Sequence, residues 1–423
     1  MKTNIGILFL LIMISGLPVG AEAGLLEIKP DKTNFLCALG EQVTFDISGT
    51  WEDGRENCTY IHYRISQDCA TTIKEVTAPF PSNGTMKVTG AMDEPGFLRC
   101  DVMMFNGPDT VRATSCVGVQ VNAIRPTGSP PKDFDRFWRS AKAELIRIPM
   151  DPIVEPVHDS TLPDGYKIYK ISLASTGGGR VHGWFTVPEG KGTFPAVLFV
   201  PGAGVRPTSK ATVFTRAGLA VLSINVHGID PDKEIKYYQG LRANIFKGDD
   251  YFFFNKKDPH RYYHYRVIQD CIRAVDFLHT CDKVDSSKIG ICGGSQGGFL
   301  SLITPALDKR IKAASLAVPA MCDITGPLYG RHTYGLLEQG DGEKEIQALS
   351  YYDVALAASL INIPVQMRVG FLDNTCPPTA VYSAYNNLRG KKEMIHLPLK
   401  GHNIGGEWLR DASLWLLITL QGN

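Results

Sequence analysis

Ser295 stands in the run Lys288-Ile-Gly-Ile-Cys-Gly-Gly-Ser-Gln-Gly-Gly298, where a short apolar strand pattern breaks into glycines around one serine and resumes as a helix-like segment, Phe299 to Ala306. Gly293 and Gly297 fill the glycine positions of G-x-S-x-G. A side chain at either position would block the sharp strand-to-helix turn that lifts a serine hydroxyl out of a sheet. The chemistry such a turn serves is nucleophilic attack, because it presents the hydroxyl at a helix N-terminus whose backbone N–H groups face developing negative charge. A Gly-rich turn or helix cap that happens to contain serine has the same local pattern, so the choice rests on what else the chain supplies.

A base and an acid follow in the order Ser, Asp, His. Asp373 lies in Val369-Gly-Phe-Leu-Asp-Asn-Thr-Cys-Pro-Pro378, just past a run of apolar and β-branched residues, on what reads as a loop at the carboxyl end of a strand. His402 lies in Leu399-Lys-Gly-His-Asn-Ile-Gly-Gly406, after the last strand pattern and before an amphipathic C-terminal helix beginning near Glu407. Of the ten histidines, His396 reads as part of that strand, and His260 and His264 as packing residues at an aromatic helix start. Acyl transfer also needs donors for the oxyanion. The backbone N–H of Gln296 is one, and the loop Pro201-Gly-Ala-Gly204 supplies a second, assigned to Ala203. The chemistry predicted is that of a serine esterase with an acyl-enzyme, requiring no cofactor and no metal; there is no C-x-x-C pair and no Cys/His cluster of zinc spacing.

These residues need a scaffold, and the chain is long enough for two domains at 423 residues. From Asp133 onward strand and helix patterns alternate, which predicts a mainly parallel sheet with helices on both faces. Strands are expected at 166–174, 181–187, 196–200, 220–226, 288–292, 312–318, 365–369 and 394–399. Helices are expected over Asp133 to Leu145, where Phe134, Phe137, Trp138 and Ala141 share a face, and over Arg261 to His279, where Val267, Cys271, Ala274, Val275 and Leu278 form a stripe. Residues 24–123 carry short β-rich runs between turn signals at Ser48-Gly49, Ser82-Asn-Gly84 and Asn106-Gly-Pro108, predicting a small Ig-like β-sandwich. Trp51 in that region reads as core, with a carbohydrate-binding face as the alternative. Residues 124–132, rich in proline, read as the linker to the catalytic domain, 133–423.

Composition narrows the partners. Forty-four basic against 43 acidic residues leave a net charge of +1, which gives no electrostatic reason to expect nucleic acid or an anionic membrane. Residues 1–23, with Lys2, the apolar run Ile5 to Leu17 and Ala21-Glu-Ala23, read as a secretory signal removed after Ala23, so the mature chain is expected to be periplasmic or secreted. No later segment is apolar enough to span a bilayer. Ten cysteines fit an oxidising compartment, and the five in the first 120 residues cannot all pair among themselves.

From Asp133 to the C-terminus the chain resembles the acetyl xylan esterase and cephalosporin C deacetylase family, carbohydrate esterase family seven. The resemblance is carried by Asp133-Phe-Asp-Arg-Phe-Trp138, Gly293-Gly-Ser-Gln-Gly-Gly298, Leu349-Ser-Tyr-Tyr-Asp353, Gly370-Phe-Leu-Asp-Asn-Thr-Cys-Pro-Pro378 with Ala384-Tyr-Asn386, and Gly401-His402. It implies an α/β-hydrolase fold, a triad of Ser295, Asp373 and His402, amide donors at Gln296 and Ala203, and removal of acetyl groups from xylo-oligosaccharides and related acetylated compounds. It further implies a homo-oligomer, often a ring-shaped hexamer, which an added N-terminal domain bears upon. Where the family has Arg-Gly-Gln after its fourth strand this chain has Val226-His-Gly-Ile-Asp230; where the family has His-Gly-Tyr it has Pro201-Gly-Ala203; and Asn403 stands where Glu is frequent. Losing that tyrosine removes an aromatic wall from the acyl pocket. The other readings of the same residues are a different hydrolase on this fold, such as a peptidase or an esterase for bulkier acyl or uronic esters, and an inactive carbohydrate-binding protein.

Overall fold

A computed structural model describes residues 24–51, 59–159, 165–248 and 250–422. The leader-like run 1–23 and Cys58 lie outside the described residues. The N-terminal strands are β1 (Gly24–Pro30), β2 (Leu36–Cys37), β3 (Val43–Trp51), β4 (Tyr60–Gln67), β5 (Thr71–Pro79), β6 (Thr85–Gly90), β7 (Gly96–Asn106) and β8 (Asp109–Val119). They form a three-stranded sheet, β1-β3-β6, and a five-stranded sheet, β2-β8-β7-β4-β5. Alternation explains the layering: Val43, Phe45 and Ile47 on β3 and Ile61, Tyr63 and Ile65 on β4 are all buried in one shared core. Trp51 belongs to that core, with its indole N–H donating to Thr59 Oγ1 at 3.0 Å. Ser48-Gly49 does not turn; it lies inside β3, where Gly49 pairs with Leu26. A Cβ there would come within 2.7 Å of Met104 Sδ, so the glycine serves close packing between sheets.

The large sheet uses β9 (Ile153–Val157), β10 (Tyr166–Ala174), β11 (Arg180–Pro188), β12 (Phe194–Val200), β13 (Ala220–Asn225), β14 (Val284–Gly294), β15 (Ile311–Ala317), β16 (Val365–Gly370) and β17 (Lys392–Leu397). Their order is β17-β16-β15-β14-β12-β13-β11-β10-β9. Strands β12 to β17 pair in parallel, while β9, β10 and β11 close one side in antiparallel fashion. The strand at the edge, β9, was not expected: its Pro156 and exposed side chains give no buried-strand signal, and an edge is where proline is tolerated.

Nine α-helices among the described residues accompany the sheet: α1 (Phe134–Ile146), α2 (Thr212–Arg216), α3 (Ile235–Asn244), α4 (Tyr263–Thr280), α5 (Gln296–Leu307), α6 (Glu343–Ser350), α7 (Val354–Ala357), α8 (Pro378–Asn387) and α9 (Trp408–Gln421). The stripe Val267, Cys271, Ala274, Val275 and Leu278 on α4 is fully buried in the main core. On the opposite face, α2 and α9 bury Phe214, Ala412, Leu416 and Leu420 against Val197, Val221 and Cys292. Among the described residues no helix is long and apolar enough to cross a membrane.

The two parts of the chain share packing. Phe97 of β7 meets Phe371 edge-on at 4.9 Å and Tyr382 of α8 at 5.7 Å. The proline-rich segment after β8 is tied to the second part: Asn386 Nδ2 donates to the carbonyls of Val121 and Ile124 at 2.8 and 3.0 Å, and Thr127 donates its N–H and hydroxyl to Asp323 Oδ1, each at 2.7 Å. All nine described cysteines are unpaired.

Candidate active site

Ser295 is the single residue between β14 and α5 and holds φ 57° and ψ −118°. A non-glycine residue there is strained, and strain of that kind persists only where neighbours over-determine it. Here Ser295 N–H donates to Ala317 O at 3.0 Å and its carbonyl accepts from Phe299 and Ala320 N–H at 3.0 and 3.1 Å. The flanking glycines permit the turn: a Cβ on Gly293 would lie 2.5 Å from Val200 O, one on Gly297 2.3 Å from the same atom, and one on Gly298 2.8 Å from Pro319 Cα. Close approach of β12 to the elbow therefore excludes a side chain at Gly293 and Gly297, and the chain after β15 excludes one at Gly298.

Three side chains separated in sequence meet at the carboxyl ends of the strands. His402 Nε2 is 3.0 Å from Ser295 Oγ, and His402 Nδ1 is 2.8 Å from Asp373 Oδ2. With Nδ1–H donating to the carboxylate, Nε2 carries its lone pair toward the serine hydroxyl, which is the tautomer a general base requires. Asp373 is 2% exposed, and its Oδ1 accepts from Thr375 and Cys376 N–H at 2.8 and 2.9 Å. Gly370 makes room for the histidine loop; a Cβ there would fall 2.5 Å from Gly401 O and 2.7 Å from Lys400 O. Cys376 packs beside the same group, and burial pushes its thiol well up, so it stays protonated. Asp373, Cys376 and His402 each bring one ligand atom within 4.8 Å of the others and are the grouping among the described residues that could hold a metal ion; all but Cys376 are already engaged with one another.

Gln296, the first residue of α5, has an N–H with no carbonyl available within the helix. The loop after β12, which contains Ala203, lies against the elbow, with a Cβ on Gly202 only 3.4 Å from Gly294 O. Buried residues tie the loop after β12 to Gln296. Tyr251, fully buried, donates its hydroxyl to Gln296 Oε1 at 2.9 Å and accepts from Gly204 N–H at 3.2 Å. His227 Nε2 lies 3.2 Å from Gly204 O, and its Nδ1 lies 2.6 Å from Tyr263 Oη. Burial lowers the His227 pKa to about 4, so the ring is neutral, with Nε2–H donating to the Gly204 carbonyl and Nδ1 accepting from tyrosine. His227 is visible in the sequence only as a departure from Arg-Gly-Gln; nothing in Tyr251-Phe-Phe-Phe254 singles out Tyr251.

The N-terminal strands reach the acid loop as well. Between β4 and β5, Asp68 and Cys69 take φ of 50° and 60°. Cys69 Sγ donates to Asn374 Oδ1 at 3.4 Å, His332 Nε2 lies 2.8 Å from Asn374 O, and Asp68 Oδ1 accepts from Phe97 N–H at 3.1 Å and from the Thr379 hydroxyl. Asp68 is 4% exposed, and burial raises its pKa to about 6.

A nucleophile-elbow serine on a parallel sheet of this strand order, facing histidine and aspartate, defines an α/β-hydrolase, and the chain is a carboxylic ester hydrolase. It belongs to the acetyl xylan esterase family, whose pattern it matches over residues 119–420. The acetyl esterase Axe7A of Xylanibacter ruminicola is 29% identical over 398 residues, covering 92% of this chain and 89% of its own, so the match extends into the N-terminal strands. The solved acetyl xylan esterase from Paenibacillus sp. R4 is 29% identical with a TM-score of 0.61, covering 98% of that protein but 71% of this one. Acetyl xylan esterase 1 from Thermoanaerobacterium sp. JW/SL YS485, at 24% identity and a TM-score of 0.58, shares the fold over the same fractions.

Proposed function

We propose that this protein removes acetyl groups from xylo-oligosaccharides or related acetylated carbohydrates, with Ser295 as nucleophile, His402 as general base and acid, and Asp373 as the group that orients the imidazole. Ser295 Oγ attacks the ester carbonyl as His402 Nε2 takes its proton, and the N–H groups of Gln296 and Ala203 receive the carbonyl oxygen as it becomes negative. Collapse of the adduct breaks the bond to the sugar oxygen, which leaves with the proton from His402, and acetyl-Ser295 remains. Water then attacks that ester, giving its proton to His402, and acetate departs with the serine restored. The observation that supports this most strongly is the continuous hydrogen-bonded line Ser295 Oγ, His402 Nε2, His402 Nδ1, Asp373 Oδ2, at 3.0 and 2.8 Å.

The test is acetate release from a panel of acetylated xylo-oligosaccharides by the wild type and Ser295→Ala. The variant is expected to lose roughly 10⁴- to 10⁶-fold in kcat. Equal acetate release by the two proteins, or cleavage of peptide amides with none from the esters, would reject the assignment.

A further inference from the structure

Behind the oxyanion loop the structure holds a cavity of about 450 Å³ that the steps above do not use. Pro201, Gly202 and Gly204 form one wall, and the ends of β12 and β13 and Leu409 of α9 form the rest. The polar groups on its surface are Arg206, Thr208, Ser209, Ser223, Asn225 and His227, and among the described residues no carboxylate lines it.

Those groups are biased toward donation. Arg206 is exposed and has no carboxylate partner among the described residues; its guanidinium makes a long hydrogen bond to Gly202 O at 3.4 Å. Thr208 Oγ1 accepts from Asn225 Nδ2 at 3.1 Å and Ser209 Oγ accepts from Ala211 N–H at 3.1 Å, which leaves both hydroxyl protons free to donate. Ser223 is 1% exposed, and its Oγ has no hydrogen-bond partner among the described residues. That hydroxyl is closed off behind the wall, so the groups free to donate into the cavity are Arg206, Thr208 and Ser209. One guanidinium, hydroxyl donors and an absence of carboxylates fit an acceptor-rich anion, and the planar fork of arginine fits a carboxylate best.

Place gives the anion its source. The wall residue Gly202 packs against Gly294, the neighbour of Ser295, with a Cβ on Gly202 falling 3.4 Å from Gly294 O, so the cavity adjoins the backbone of the elbow. We propose that this cavity is a subsite for the carboxylate of a uronic acid carried by the acetylated oligosaccharide, with Arg206 as the residue that reads its charge. The proposal rests on the deacetylase reading and adds to it a preference for acidic over neutral glycans.

The experiment compares kcat/KM for acetylated xylo-oligosaccharides with and without one glucuronic acid branch, taken as a ratio within each protein so that any general loss of activity cancels. The wild type is expected to favour the branched substrate about tenfold, as a charge-assisted contact to a partly exposed arginine allows, with the ratio falling as salt is added. Arg206→Gln is expected to bring the ratio to about one, and Arg206→Lys to keep part of it. A wild-type ratio near one, or a wild-type ratio retained by Arg206→Gln, overturns the subsite. Absence of acetate from both substrates contradicts the deacetylase reading itself, and is distinguishable because no ratio then exists.

Discussion

Tyr251 Oη links the side chain of Gln296 to the N–H of Gly204, the residue next to Ala203, and so ties together the two positions whose amides are proposed to receive the oxyanion. Losing one direct donor costs about 10²- to 10³-fold in kcat; a group that only aims the donors is worth less. Tyr251→Phe keeps the ring packed against His227 and Tyr263 and removes only the hydroxyl. The expected result is a fall in kcat of about tenfold with KM for a small acetyl ester little changed, read from steady-state kinetics. A rise in KM with kcat intact would assign Tyr251 to ground-state binding instead. At this scale the sequence is partly legible. Ser295 is readable because its glycine neighbours answer a local steric demand, and Asp373 and His402 because each follows a strand. Tyr251 and Cys376 act through contacts that only the folded chain makes, and no spacing rule points to them.

The elements matter through close backbone approaches. At the end of β16, Gly370 lets the Lys400-Gly401 backbone pass within what would be 2.5 to 2.7 Å of a Cβ, and His402 follows immediately. Gly370→Ala is therefore expected to push the histidine loop away from Ser295. A displacement of about 1 Å can cost about 10²-fold, so kcat should drop by that order while far-UV circular dichroism stays that of the wild type. Wild-type kcat in this variant would show that the loop yields without moving the imidazole. The parallel strands β12 to β16 could be read as apolar runs because they are largely buried on both faces, whereas β17 at the edge is half-exposed. The three antiparallel strands β9 to β11 are less legible as a group: β10 alternates only in part, β11 is buried from Gly183 to Val187, and β9 is exposed and contains proline, so that only its pairing with β10 makes it a strand. Ser48-Gly49 misleads for the opposite reason, since a local turn signal is overridden by strand pairing on both sides, to β1 and to β6 or its turn.

On the scale of the whole molecule, the N-terminal sheets and the hydrolase sheet meet at the loop that carries Asp373. Contacts such as Cys69 to Asn374 and Asp68 to Thr379 join residues more than 300 positions apart, beyond any periodicity a sequence displays. Asp68 makes this junction sensitive to pH. Its pKa is raised from 3.8 to about 6 in the folded state, so between those values the folded chain holds a proton that the unfolded chain gives up. The resulting stabilisation is complete below pH 3.8 and lost as pH rises through 6, leaving an ionised, buried carboxylate that costs about 3 kcal/mol above that point. Asp68→Asn cannot ionise. Its Tm is expected to rise relative to the wild type on going from pH 4 to pH 8, as followed by scanning calorimetry; a Tm difference that is flat across that range would place the Asp68 carboxyl in a wetter setting. The account as a whole depends on Ser295 being activated by His402. The most direct measurement is the site and rate of phosphonylation by a fluorophosphonate, followed by intact mass and peptide mapping in the wild type and His402→Ala. One adduct on Ser295, forming orders of magnitude more slowly in the variant, is the predicted result; an adduct elsewhere, or equal rates in the two proteins, would contradict it.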